Sequence, residues 1–204
     1  MITVIDYDAG NGPSVIAALE HLGHPCRLAT TSAELEQASH IVLPGVGSAG
    51  ATIDSLNQLD LLATLERRVR EGTPFLGICV GLQILFDHSE EGDVRCLGWF
   101  RGKVRRYAGS GLRVPQIGWN SVHRRRDHVV FRGLPEAGHF YFVNSYYVLP
   151  DDEGLLLGEA EYGARFAAIV ARDNVVAAQF HVEKSGPLGL RLLDNFVRAD
   201  RAAF

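Results

Sequence analysis

Residues 75–83 read FLGICVGLQ, and the reading of this stretch decides the fold. Phe75 to Ile78 form an apolar run of strand character. Gly77-Ile78-Cys79-Val80-Gly81 then turns the chain, and residues 82–86 begin a helix. A strand-to-helix elbow with a nucleophile at its apex is the device of α/β-hydrolases, where serine stands in the place Cys79 holds here. Such a tight turn needs glycine two positions before and after the apex, because side chains there would collide. The elbow lifts the sulfur above the carboxyl edge of the sheet, where open α/β sheets form their binding crevice. It also sets the sulfur at a helix N-terminus, whose dipole favours thiolate over thiol. Taken alone, a buried structural cysteine in a glycine-rich turn would read the same way. Cys26 and Cys96 lack this setting and read as packing residues.

Upstream of the elbow, short apolar runs alternate with amphipathic ones. Strands are expected at 2–5, 26–29 and 41–43, the last closed by Pro44-Gly45. A helix starts at Pro13, carries Val15, Ile16, Leu19 and Leu22 at helical spacing, and stops at Gly23. A short helix is expected at 32–38 and another at 59–70, with apolar residues at 61, 62, 65 and 69 before Gly72. Alternating strands and helices imply crossover connections and a parallel sheet. Downstream the texture changes to strands at 99–107, 140–149, 155–161, 166–172 and 175–180. The last two are joined by a hairpin over 171–174, and a helix from Pro187 closes the chain. The expectation is one α/β domain over residues 1–204. Its mostly parallel central sheet is flanked by helices, with an antiparallel β extension in the C-terminal half.

The chain has 204 residues, 47% hydrophobic and 22% charged, enough for one full core. Its net charge of -4, from 20 Lys and Arg against 24 Asp and Glu, points to neither nucleic acid nor an anionic membrane as target. Arg124-Arg125-Arg126 beside Asp127 reads as a solvated turn. Three irregularly spaced cysteines argue against a disulfide framework and for a reducing compartment. MITVIDYDAG has no basic n-region and no long apolar h-region, and no apolar run approaches the ~20 residues of a membrane span. A soluble, cytoplasmic protein is the expectation.

A thiol nucleophile needs a base, and the base needs a third group to fix its tautomer. Of eight histidines, six sit beside charged residues in loops, turns or helix faces, and His139 lies near a strand start. His181 ends the apolar strand and is followed two residues later by Glu183. If the chain is extended there, both side chains share a face and can meet. A strand-end histidine with a surface salt bridge is the plainer alternative. Pro44-Gly45-Val46-Gly47-Ser48 follows the strand at 41–43, and its glycines let backbone N–H groups turn inward as an anion nest. Such donors suit an oxyanion; without Lys and the G-x-x-x-x-G-K pattern the segment matches a phosphate loop poorly, and a plain strand-end turn is the alternative.

With PGVGS, GICVGLQ and FHVEKS in this order, the sequence resembles the class I, triad-type glutamine amidotransferases. The segments DYDAGN, PGVGSAG, PQIGWN (115–120) and FYFVNSYYV (140–148) are similar to those of one branch, the glutaminase subunits of imidazole glycerol phosphate synthase in histidine biosynthesis. The resemblance spans essentially the whole chain. It implies a flavodoxin-like fold with Cys79 as nucleophile, His181 as general base and Glu183 as its orienter. It also implies an oxyanion loop at Val46 and Gly47, and glutamine contacts from Gln83, Asn144, Ser145 and Tyr146. The substrate would be L-glutamine, with no metal and no organic cofactor. The implied partner is a (β/α)8-barrel cyclase subunit that receives ammonia, forming a heterodimer, with Asn11, Trp119, Tyr141 and Lys184 near that interface. Members of the branch are nearly silent alone and are activated when the barrel carries its ligand. The expected switch is reorientation of the PGVGS backbone. Three positions depart from the family pattern: Val182 stands for proline, Asn144 for histidine and Asp8 for glycine. Rival readings are the glutaminase of pyridoxal phosphate synthesis, another cysteine hydrolase of α/β shape, and a non-catalytic binding subunit that retains the fold.

Overall fold

Four strands of this protein are only four residues long and apolar almost throughout, which is the pattern of strands buried on both faces. In the computed structural model, which describes residues 1–7 and 11–203 (Arg201 by its backbone alone), they form the centre of the sheet. They are β1 (Ile2–Ile5), β3 (His40–Leu43), β4 (Phe75–Ile78) and β13 (Val175–Ala178), with the half-buried β2 (Cys26–Ala29) at the edge. The order is β2-β1-β3-β4-β13, and every pairing is parallel: Val4 lies opposite Leu28 and Val42, and Leu76 opposite Val42 and Val176. The connecting helices are α1 (Gly12–His21), α2 (Ser32–Glu36), α3 (Ala49–Gln58) and α4 (Leu62–Arg70). The one-turn α5 (Val80–Gln83) follows β4, and α6 (Gly186–Arg198) follows β13. Carboxyl ends of β1, β3, β4 and β13 therefore share one edge of the sheet.

Beyond β13 the sheet turns antiparallel through β12 (Ala164–Arg172), β10 (Tyr146–Pro150) and β7 (Gly102–Arg106); the short β5 (His88–Ser89) then pairs β7 in parallel and β6 (Val94–Arg95) antiparallel. A branch leaves β12 through β11 (Leu156–Tyr162) to β8 (Gln116–Arg124) and β9 (Ala137–Asn144). The expected mixed architecture is thus present, with its antiparallel part in the C-terminal half. The expected hairpin is present too: Arg172 pairs Val175, and Asp173 takes φ 50° in the two-residue turn.

Several boundaries differ from expectation. Helix α3 was not anticipated, although Ser48 caps it by accepting from the Ala51 N–H and Ala49, Thr52 and Leu56 form its buried stripe. The helix expected at 59–70 starts only at Leu62, because Asp60 in the left-handed region separates α3 from α4. The strand expected at 140–149 is two strands, broken at Ser145, that pair with different partners. Strand β8 escaped the pattern because its burial is inverted: Gln116 is buried, while Ile117 and Trp119 are 65% and 56% exposed. The departure at Asp8 lies outside the described residues. Among the described residues no helix is long and apolar enough to cross a membrane.

Candidate active site

Cys79 occupies the apex of the elbow with φ 56° and ψ -107°, a backbone conformation that L-residues rarely adopt. Its N–H donates to the Ala178 carbonyl at 2.8 Å, tying the apex to β13. Glycine is required around it for contact reasons that the coordinates make specific. A Cβ on Gly77 would stand 2.5 Å from the Gly81 oxygen, and one on Gly81 would stand 2.2 Å from the Leu43 oxygen. A Cβ on Gly45 would stand 2.6 Å from the Gly81 nitrogen, so the PGVGS loop is seated directly on the elbow. Backbone cannot give way as a flexible side chain would. Gly81→Ala is expected to cost about 3 kcal/mol or more, at the upper end of overpacking. Thermal unfolding measures it, and a melting temperature within a degree of the parent would refute the steric account.

The helix behind Cys79 is shorter than expected. It starts at Val80 and ends at Gln83, a single turn rather than a helix that begins over 82–86. One turn aligns few peptide dipoles, so the helix contributes little to ionising the sulfur.

His181 and Glu183 meet, but not for the expected reason. Residues Val182–Lys184 form a 3-10 turn, with His181 as the extended residue before it (φ -81°, ψ 101°). The turn folds the carboxylate back, placing Glu183 Oε1 2.9 Å from His181 Nδ1. Val182 therefore serves in a turn and is fully buried, not in a strand. The His181 backbone is clamped: its N–H donates to the Tyr141 carbonyl at 2.9 Å, and its carbonyl accepts from Ser185 Oγ at 2.6 Å. Burial alone would push the imidazole pKa down, but hydrogen bonds to Cys79 and Glu183 outweigh it and raise it to about 9. Burial acts upward on Glu183 as well, yet the bonds from His181 and Asn11 hold its carboxyl below the ordinary value. With Nδ1 engaged by the carboxylate, Nε2 is the ring atom left for the sulfur.

Asn11, expected near the partner interface, is 4% exposed and lies under the pair, its Nδ2 donating to Glu183 Oε1 at 3.0 Å and 3.5 Å from His181 Nδ1. Its place at the carboxyl end of β1 explains this, since that edge is where β4 and β13 also deliver their residues. The other three interface candidates are accessible to differing degrees. Trp119 and Lys184 are exposed, and Tyr141 is half-buried with its ring 5.9 Å from that of Trp119. Ile117 and Val143 lie opposite each other on the same ribbon, exposed, as Trp119 and Tyr141 do.

Cys79 and His181 open onto a cavity of about 260 Å³. That is below the ~300–1,000 Å³ of drug-sized sites and of the order of a single amino acid. Val46, Gly47, Gln83, Asn144, Ser145 and Tyr146 all line it, so the candidates for oxyanion and substrate contacts converge. The polarity of the wall is defined by what its amides have already spent. Gln83 Nε2 donates to the Tyr146 carbonyl at 3.0 Å and to Gln179 Oε1 at 3.1 Å, so only its oxygen is free. Asn144 Nδ2 donates to the Tyr107 hydroxyl at 3.1 Å and the Tyr146 carbonyl at 2.9 Å, and its Oδ1 is buried without a partner. Glu91, which sequence reasoning missed, adds a carboxylate whose pKa burial raises. Only its place in the loop after β5 brings it here, and no local motif marks it.

The oxyanion loop adjoins Tyr7. The Val46 N–H faces the hydroxyl of Tyr7, a buried side chain that itself donates to the Pro44 carbonyl at 2.9 Å. Burial raises the Tyr7 pKa despite the hydrogen bond its hydroxyl accepts from Thr52. Gly47 has φ 90°, the left-handed region that glycine enters at low cost.

Three comparisons bear on this arrangement. The family model described as glutamine amidotransferase class-I matches residues 3–199. The protein named imidazole glycerol phosphate synthase subunit HisH of Herpetosiphon aurantiacus is 47% identical over 198 residues, covering 97% of this chain and 93% of that one. Its namesake in Geobacillus kaustophilus is 46% identical over 203 residues, covering 97% and 96%. Among solved structures, a crystal structure of a glutamine amidotransferase superposes with a TM-score of 0.76 at 21% identity over 97% of both chains. PurLQS from Thermotoga maritima gives 0.77 at 16% identity over 96% of both. At such identities the structural likeness speaks for the fold alone.

Proposed function

The chain belongs to the class-I glutamine amidotransferase family, and from that premise we propose that it is the glutaminase subunit of an imidazole glycerol phosphate synthase. One observation carries the chemistry: a buried His181–Glu183 pair and a strained Cys79 open together onto one cavity the size of an amino acid. The nearly full-length relatives named as subunits of that synthase carry the pathway.

Cys79 thiolate attacks the side-chain amide carbon of glutamine, forming a C–S bond and an oxyanion. Collapse breaks the C–N bond, and Nε2–H of protonated His181 gives its proton to the leaving nitrogen, which departs as ammonia. Water then attacks the thioester, His181 takes its proton, and the C–S bond breaks to release glutamate. Gln83 Oε1, Asn144 Oδ1 and the Glu91 carboxylate are all acceptors, which suits the α-ammonium end of the substrate. Ser145 and Tyr146 complete that wall. Val46 and Gly47 supply the oxyanion donors once the loop backbone has reoriented. That reorientation is the step a partner's ligand would drive, as a coupling between two sites.

The apolar ribbon of Ile117, Trp119, Tyr141 and Val143 beside the cleft suits docking of the cyclase, a (β/α)8 barrel, with Lys184 at its margin. Ammonia released under such a cover escapes protonation by bulk water. The residues act as one domain over 1–204 in the cytoplasm. Glutamate release by the chain with and without the cyclase subunit and its nucleotide ligand tests the reading. Strong release only with both present is expected, and a stable complex that yields no glutamate would overturn it. Trp119→Ala is expected to weaken the complex about tenfold or more, as truncating an aromatic anchor does. Titration calorimetry reads this, and unchanged affinity would remove the ribbon from the interface.

A further inference from the structure

The Cys79 sulfur has a hydrogen-bond donor outside the triad. Gln179, immediately after β13, is fully buried, and its Nε2 lies 3.6 Å from Cys79 Sγ. Its own N–H donates to the Ala168 carbonyl at 2.8 Å, fixing the backbone in the sheet. A primary amide between Ala178 and Phe180 in the core is costly unless its groups are bonded. Here both ends are, and the directions are forced. The Tyr146 carbonyl can only accept, so Gln83 must turn its Nε2 toward it. The same nitrogen needs a second acceptor, which sets Gln179 with Oε1 toward Gln83. Gln179 Nε2 is thereby left facing the sulfur, and reversing either amide would set two donors or two acceptors against each other.

We propose that Gln179 is a catalytic residue of this centre: its amide N–H holds the Cys79 sulfur and favours the thiolate, in an orientation imposed by Tyr146 through Gln83. A thiolate accepts a hydrogen bond far better than a thiol, so a fixed donor there stabilises the ionised nucleophile. This fills the place that a one-turn helix leaves open. Because the Tyr146 carbonyl also accepts from Asn144, the relay runs from the wall that meets the substrate to the atom that attacks it. The relay also explains why glutamine, and no shorter side chain, stands at 83. Its amide must span from a strand carbonyl to a second buried amide.

The inference rests on Cys79 being the nucleophile, and a reading of thiol ionisation that needs no turnover tests it separately. Alkylation of Cys79 by iodoacetamide is followed against pH in the full chain, with the Cys79 peptide quantified by mass spectrometry and thermal melting as the folding control. Gln179→Met keeps the volume and removes the donor. Its alkylation curve is expected to shift to higher pH, with about tenfold slower reaction at pH 7. Gln179→Glu, of the same shape, faces the sulfur with oxygen and shifts the curve further. A curve that coincides with the parent in folded Gln179→Met overturns the proposal. Should that chain not fold, Gln179→Glu decides by the same criterion. Glutamine hydrolysis surviving Cys79→Ala would instead remove the nucleophile assignment on which the proposal stands.

Discussion

Cys79→Ala is expected to reduce glutamine hydrolysis by at least about 10⁴-fold, measured as glutamate released in the presence of the cyclase subunit and its ligand. The size follows from the role: without sulfur there is no covalent intermediate, and the elbow presents no other side chain at its apex. What remains is water attack helped by binding and by whatever oxyanion donors the loop supplies. The substitution leaves the backbone unchanged, since alanine and cysteine suffer alike at φ 56°. Glutamine binding should therefore survive, and so should the fold. Cys79→Ser separates two demands. Serine restores an attacking atom, but its hydroxyl lacks the ionisation that His181 can sustain for a thiol, so it should be nearly as inactive. Cys26→Ser serves as the control, because Cys26 lies in an edge strand remote from the cavity. Cys79→Ala retaining a tenth of the parent rate would move the chemistry to another residue.

Much of this centre was legible from local sequence because each part is a local device. The elbow is five residues, and its glycines announce the tight turn. The apolar runs of β1, β3, β4 and β13 announce strands buried on both faces, and their carboxyl ends converge without further information. His181 and Glu183 are two residues apart, so any fold that turns there brings them together. The extended conformation expected for them was wrong and the contact was still right, since the 3-10 turn shortens the same path. Asn11, Glu91 and Gln179 were not legible in these roles. Asn11 is separated from Glu183 by 172 positions, and Gln179 from Gln83 by 96, and only the sheet order brings them close. Strand β8 was hidden for a different reason. Pattern reading assumes apolar residues face inward, and β8 turns Ile117 and Trp119 outward beside the cleft. A misread strand there marks a surface shaped by something other than folding.

Replacing Glu183 by Gln is expected to lower glutaminase turnover by about 10³–10⁴-fold while leaving glutamine affinity within a few-fold. The carboxylate only accepts, so it requires the proton on Nδ1 and leaves Nε2 to exchange its proton with sulfur, ammonia and water. An amide can instead donate to Nδ1, which moves the proton to Nε2 and removes the base from the thioester step. Without the charge, the imidazole also loses part of what raises its pKa to about 9. The imidazolium then persists over a narrower range, and the alkaline limb of the pH–rate profile moves to lower pH. Stability carries an independent signature of the same pair. His181 titrates above its ordinary value of 6.5 in the folded chain, so its contribution is complete below that value and is lost as pH rises through about 9. Glu183 titrates below its ordinary 4.5, so its contribution is present above that value and is lost as pH falls through the lowered one. The parent should therefore lose melting temperature between pH 6.5 and 9 from this pair, and Glu183→Gln should lose less over the same interval. If the two chains lose equally, the raised pKa of His181 owes nothing to Glu183. The carboxylate would then serve packing alone, and the fall in turnover would need another cause.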